Sequence, residues 1–147
     1  MIVKIPMKLK SLYLLAAFAL LLSLRAGAQL DVNISPVKTE GNKAVIKLLF
    51  KNDLTNTVES ARAAVFLLDG ETVVGQGNRW VIGGAKDKLS LAPGATNSFF
   101  FVITSDKPFP NTNLTAKMSV NRLVLEGGKL GDVAKDVVIS NEKKLAL

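Results

Sequence analysis

The sequence predicts an all-β protein, an antiparallel β-sandwich of about seven to eight strands. Apolar and polar residues alternate through most of the chain after residue 28, which is the pattern of strands with one buried face. Turn residues interrupt this alternation roughly every 8–14 residues. No window in that region has the period of about 3.6 residues that marks an amphipathic helix. A small closed barrel is the alternative architecture.

The predicted strands combine alternating or β-branched residues with Gly, Pro, Asn or Asp at their ends. They comprise residues 30–35, 43–51, 58–68, 71–74, 80–82, 96–104, 114–125 and 133–139. Pro36 ends or bends the first strand, or places it at a sheet edge. Asp69-Gly70 is a strong hairpin signal between two strands. Leu89 and Leu91 mark a further strand end before the tight turn at 92–94, and the two prolines within residues 105–113 predict a loop.

The N-terminus has the pattern of a secretory leader. Three lysines within the first ten residues precede an apolar run from Leu12 to Leu24, and Ala26-Gly27-Ala28 supplies the small residues that a signal peptidase requires. The run of about 13 residues is too short to cross a bilayer, which takes roughly 20. We expect cleavage after Ala28, a sandwich over residues 29–140 and a polar tail over residues 141–147. The mature chain is expected to have no membrane span and to be periplasmic or extracellular.

The leader accounts for much of the positive charge of the chain. The sequence has 147 residues, with 19 Lys and Arg, 12 Asp and Glu, and a net charge of +7. Four of the positive residues and none of the acids lie in residues 1–28, so the mature chain has 15 against 12, or +3. This balance does not indicate a nucleic-acid partner.

The residue types exclude several chemistries. Cysteine and histidine are both absent, which excludes disulfides, cysteine-ligated metals, His-ligated zinc and Ser–His or Cys–His nucleophiles. Gly75-x-Gly77 continues to Trp80 without a third glycine or a helix, so it is not a dinucleotide-binding loop. A hydrolase would need a Ser–Lys pair or two carboxylates, and the acids are scattered singly. We expect a non-enzymatic protein with no cofactor and no metal. A domain without disulfides is ordinary among exported bacterial proteins.

A resemblance to a known family rests on three stretches. They are residues 48–57, with a polar Asn-containing loop, residues 65–75, with Leu-Leu-Asp-Gly and Val-Val-Gly, and residues 91–101, with Leu-Ala-Pro-Gly before an aromatic strand. Residues 43–125 thereby resemble bacterial immunoglobulin-like accessory domains of the FxLYD type. The chain departs from that signature at residues 66–69, Phe-Leu-Leu-Asp, which lack the tyrosine. The resemblance implies an immunoglobulin-like sandwich that binds or spaces other molecules, and it supplies no catalytic residues.

Two features predict a binding surface for a protein partner at the cell envelope. The strand over residues 96–104 is apolar on both faces, so Phe100 and Val102 either are covered by a loop or form an exposed patch. Lys43, Lys47 and Lys51 lie on one face of a strand, about 13 Å apart. They either bind an anionic partner or protect an open sheet edge from pairing.

A third feature is Asn78-Arg79-Trp80, which contains the only tryptophan. An exposed Trp beside Arg and Asn suits a carbohydrate, whereas a core anchor is the structural alternative. The loop with Asn52, Asp53 and Asn56 is interpreted as a turn, because it has too few acidic oxygens for calcium.

The sequence therefore predicts an exported β-sandwich for binding or assembly at the bacterial cell envelope, acting through a strand edge or an apolar face around Phe100. The alternative function is a carbohydrate-binding module centred on Trp80.

Overall fold

The structure is a computed structural model that describes residues 28–86, 88–110 and 113–141. Its strands are β1 (Leu30–Ile34), β2 (Lys38–Glu40), β3 (Lys43–Asn52), β4 (Val58–Asp69), β5 (Thr72–Ile82), β6 (Thr96–Thr104), β7 (Thr115–Leu125), β8 (Lys129–Leu130) and β9 (Val137–Asn141). A 3₁₀ turn, Glu126–Gly128, links β7 to β8. The predicted leader up to residue 27 and the tail after residue 141 lie outside the described residues.

The strands form two sheets that pack together, so the prediction of an all-β, sandwich-like protein is confirmed. In sheet A, β3 lies between β6 on one side and β1 and β2 on the other, and β9 pairs with β1. Sheet B has the order β5-β4-β7-β8. Every pairing is antiparallel except that of β1 with β9. No helix in the described ranges is long and apolar enough to cross a membrane.

The core forms where the alternating strands direct their apolar side chains between the sheets. Along β3 the residues alternate between exposed and buried, and its inward residues Ile46, Leu48 and Phe50 are fully buried. Val65 and Leu67 of β4 face them from sheet B, and Phe101 of β6 fills the space beside them. Complete burial of such a side chain stabilises the fold by about 1.5–3 kcal/mol relative to exposure.

One element differs from the sequence prediction, because residues 71–74 and 80–82 belong to a single long strand, β5. Gly75 and Gly77 do not interrupt this strand. They lie on its inner face, where a Cβ at Gly77 would approach Cε1 of Phe101 to 2.8 Å. Because glycine has no side chain, these positions leave room for the ring of Phe101 from the facing sheet.

The last strand also differs, since it begins at Val137 instead of Val133. The side chain of Asp132 accepts hydrogen bonds from the backbone N–H groups of Ala134 and Lys135 at 3.0 and 3.3 Å. Asp side chains stabilise turns in this way, so the preceding residues form a turn instead of a strand.

Candidate binding surface

The structure brings together all five residues that were predicted to bind a protein partner. Lys43, Lys47 and Lys51 project from β3, and Phe100 and Val102 project from the neighbouring β6. Their strands pair antiparallel, with Lys47 directly opposite Phe100. The two features therefore form one surface, which we call the sheet A face.

Phe100 is the most prominent apolar residue of the sheet A face. Its side chain is 59% exposed, whereas its neighbour Phe101 is fully buried on the opposite side of β6. Of the two alternatives for this strand, cover by a loop is therefore excluded for Phe100, and Val102 is half-buried. Leu49 on β3 and Val138 on β9, exposed by 44% and 40%, are further apolar residues on this side of sheet A.

The lysines of this face differ in their surroundings. Lys43 lies opposite Glu40, and Lys51 lies opposite Asp31 with its Nζ 3.8 Å from an oxygen of Asp53. Lys47 has no acid opposite and forms no ion pair with any described residue. Positive charge is therefore least compensated at the centre of the face, beside Phe100.

A shallow depression of about 250 Å³ lies at this centre. Its lining residues are Ser35, Pro36, Lys38, Val45, Lys47 and Phe100. Two of them are lysines and none is acidic. The depression therefore suits a partner that presents an apolar group next to a negative charge.

The position of β3 excludes the alternative explanation of its lysines. The strand pairs with β6 on one side and with β1 and β2 on the other, so it is an interior strand. Lysines that prevent unwanted strand pairing belong on edge strands. These three lysines do not have that role.

Asp31 lies at the end of the sheet A face, and its surroundings raise the pKa of its carboxyl group. Partial burial raises the pKa of the Asp31 carboxyl, and a hydrogen bond with Asp53 and the negative charge of that residue raise the pKa further. The positive charge of Lys51 lowers the pKa of Asp31, but by less than these effects raise it. The neighbouring carboxyl group thus disfavours the ionised form of Asp31.

The residues of the alternative carbohydrate site do not come together on one face. Asn78 and Trp80 lie on the outer face of sheet B, opposite Ala64 and Arg62. Arg79 lies on the other side of β5, with its guanidinium carbon 5.5 Å from the centre of the Phe101 ring. The predicted triplet is therefore split between two sides of the strand.

Trp80 lies neither in the core nor open on the surface. Its half-buried ring packs closely over Gly84, where a Cβ would approach the ring to 2.5 Å. The guanidinium carbon of Arg62 lies over the ring, 5.7 Å from its centre. Arg62 cannot be identified from the local sequence pattern, because only the register of β4 with β5 brings it to Trp80. These contacts leave the ring poorly placed for stacking on a sugar.

The Asn52 loop is a structural element. Asn52 is fully buried, and its side-chain amide donates to the carbonyls of Asn56 and Leu91 at 3.0 and 2.9 Å. Its side-chain oxygen accepts from the N–H of Leu54. Within the described ranges, acidic side chains nowhere gather in the groups of three or more that hold a metal ion.

Comparison with known proteins adds no relative: no family model matches this sequence, and no curated protein is significantly similar to it.

Proposed function

We propose that this protein is an exported, non-enzymatic, immunoglobulin-like domain that binds a partner protein at the bacterial cell envelope through the sheet A face. One observation carries the proposal. The exposed Phe100 lies directly opposite Lys47, so the predicted apolar and basic features form one surface. Binding interfaces combine a central apolar anchor with a polar rim in this way.

Two observations support the immunoglobulin-like part of the proposal. The consecutive strands β3 and β4 belong to different sheets: β3 pairs with β1 and β6, and β4 pairs with β5 and β7. Immunoglobulin-like sandwiches also place consecutive strands in different sheets in this way. In addition, the Asn loop and the Leu-Ala-Pro-Gly turn, which carry the resemblance to FxLYD-type domains, are hydrogen-bonded to each other. Asn52 binds the carbonyl of Leu91, and the N–H of Gly94 donates to the carbonyl of Asn52.

The chemistry of the face defines the kind of partner. Phe100 is the anchor that an apolar socket on the partner buries, and Lys38 and Lys47 favour acidic residues at the rim of that socket. β6 pairs with β3 alone among the described strands, so a sheet edge lies directly beside Phe100. A partner segment seated on the face can therefore extend along this edge by strand addition.

The proposal is tested by site-specific crosslinking in bacteria that express the full chain. A photoreactive amino acid at position 100 is expected to give a discrete adduct of higher mass in the envelope fraction. The same residue at position 71, exposed in the turn between β4 and β5, is expected to give none. Adducts of equal yield at both positions, or no adduct at position 100, would overturn the proposal.

Charge-reversal variants distinguish specific binding from non-specific adhesion. Lys47→Glu is expected to weaken the crosslink at position 100 several-fold, because it places a negative charge against an acidic rim. Lys117→Glu makes the same change of charge on sheet B and is expected to leave the crosslink unchanged. Equal effects of the two variants would contradict an acidic partner. Unchanged thermal unfolding of both variants shows that the fold is intact.

A further inference from the structure

A second charged surface lies on the opposite side of the sandwich, on the outer face of sheet B. Arg62 of β4 and Arg122 of β7 are directly opposite each other in the antiparallel register. Both side chains point outward, because the neighbouring Ala63 and Leu123 are buried in the core. Directly opposed residues have Cα atoms roughly 4.5–5.5 Å apart, so the two guanidinium groups project from adjacent points.

This arrangement is unfavourable for the sheet on its own, because like charges directly opposite each other destabilise a strand pair. Neither Arg62 nor Arg122 forms an ion pair with a described residue. Lys117, exposed on the same face of β7, adds a third positive charge. An anion bound between the arginines would relieve the repulsion and use both fork-shaped donors.

Neighbouring side chains hold Arg62 in place. Its Nε donates to Oδ1 of Asn78 at 3.0 Å, and Nδ2 of Asn121 donates to the same oxygen at 3.3 Å. The register of β7 shifts at this point, which makes Asn121 the extra residue of a β-bulge. Bulges redirect a side chain and occur next to functional sites. Arg62 uses only its Nε in this contact, so its two terminal nitrogens form no hydrogen bond with a described residue.

We propose that this surface binds an acidic polysaccharide, with carboxylate or sulfate groups held between Arg62 and Arg122. We call it the arginine face; it comprises Arg62, Asn78, Lys117, Asn121 and Arg122. The proposal does not depend on the function proposed for the sheet A face, because the two surfaces belong to different sheets.

Four properties favour a polysaccharide over another polyanion. The amide side chains of Asn78, Asn121 and Gln76 can exchange hydrogen bonds with sugar hydroxyls. A depression of about 320 Å³, lined by Ala64, Phe66, Gln76, Gly77 and Asn78, lies next to Arg62 and gives room for a sugar unit. A single-stranded nucleic acid needs uncovered aromatic rings for its bases, and the ring of Trp80 is covered by Arg62. A lipid surface needs protruding apolar side chains, and Phe66 is half-buried.

The test is equilibrium binding to protein purified after expression of the full chain. The probes are labelled oligogalacturonate, which carries carboxylates, and dextran sulfate, which carries sulfates; uncharged dextran is the control. We expect at least one acidic probe to bind and to change the fluorescence of Trp80, because Arg62 lies over its ring. The probe that binds more tightly identifies the anionic group.

A pair of matched variants tests the position of the site. The double variant Arg62→Gln with Arg122→Gln is expected to weaken binding at least about tenfold, because it removes both charged donors. The double variant Lys43→Gln with Lys47→Gln removes the same net charge from the sheet A face and is expected to change binding less than about twofold. Arg122→Lys keeps the charge but loses the planar fork, so a several-fold weakening is expected.

Four results would overturn the proposal. They are equal losses in the two double variants, binding of uncharged dextran, no binding of either acidic probe, and Arg62-dependent binding to phosphatidylglycerol vesicles in place of the glycans. Misfolding is detected by thermal unfolding of Arg122→Gln. The removal of a repelling charge is expected to leave the unfolding temperature at or above that of the parent protein.

Discussion

At the residue scale, Asn52 connects parts of the chain that lie far apart in the sequence. Its backbone N–H donates to the carbonyl of Ala95, and its side chain reaches the carbonyl of Leu91. Every polar group of this buried residue is therefore used, which is the condition under which a buried polar side chain stabilises a fold. The same residue holds the ends of β3 and β6 together, and these two strands carry the sheet A face.

Asp31 is the residue where the structure predicts a dependence on pH. Its pKa is raised in the folded state, so the folded protein binds this proton more tightly than the unfolded protein does. The free energy of unfolding therefore falls as the pH rises from the ordinary aspartate value of 3.8 through the raised value, and the loss persists at neutral pH. Asp31→Asn removes this loss, so we expect the variant to be more stable than the parent protein at neutral pH.

Urea unfolding at about pH 3.5 and about pH 7 measures this effect, and the advantage of the variant is expected to shrink at the lower pH. Asp106→Asn, on an exposed loop, serves as the control and is expected to change neither value. An Asp31→Asn variant that is less stable than the parent protein at neutral pH would show that Lys51 outweighs burial and Asp53.

At the scale of the element, β5 and β6 depend on each other across the sandwich. Gly77→Ala places a methyl group 2.8 Å from the Phe101 ring, so the ring or the strand must move. We expect a loss of about 2 kcal/mol in the free energy of unfolding, the usual cost of overpacking a core. Combined with Phe101→Leu, the change is expected to cost less than the sum of the two single variants, because the smaller side chain gives room. Additive costs in urea unfolding would mean that the two residues do not compete for space.

The strands β3, β5 and β6 show which features the sequence can predict and which it cannot. The alternation along residues 43–51 identifies β3 and the outward direction of its lysines, because the period of a strand is a local property. Gly75 and Gly77 look like a break in β5, because the ring that fills their space comes from β6. Likewise, only the pairing register places Lys47 against Phe100 and Arg62 against Arg122. Such registers depend on residues far apart in the sequence and are not readable from its local pattern.

At the scale of the whole molecule, β1 begins at Leu30, two residues after Ala28, where cleavage of the leader is predicted. The N–H of Leu30 donates to the carbonyl of Asp136 at 2.7 Å, and Leu30 is fully buried. The side chain of Gln29 donates to the carbonyl of Lys135 at 2.9 Å. Cleavage after Ala28 would therefore keep β1 intact, whereas cleavage a few residues later would remove part of the core.

We therefore expect the mature protein to begin at Gln29 when the full chain is expressed in bacteria. Intact-mass measurement of the protein from a periplasmic extract checks this start to the residue. Ala28→Leu is expected to block processing, because signal peptidase needs a small residue before the cleaved bond, so the measured mass is expected to include the leader. Ser11→Ala lies away from the cleavage site and is expected to be processed normally. A mature chain that begins after Leu30 would contradict this prediction, because β1 would then lack its first buried side chain.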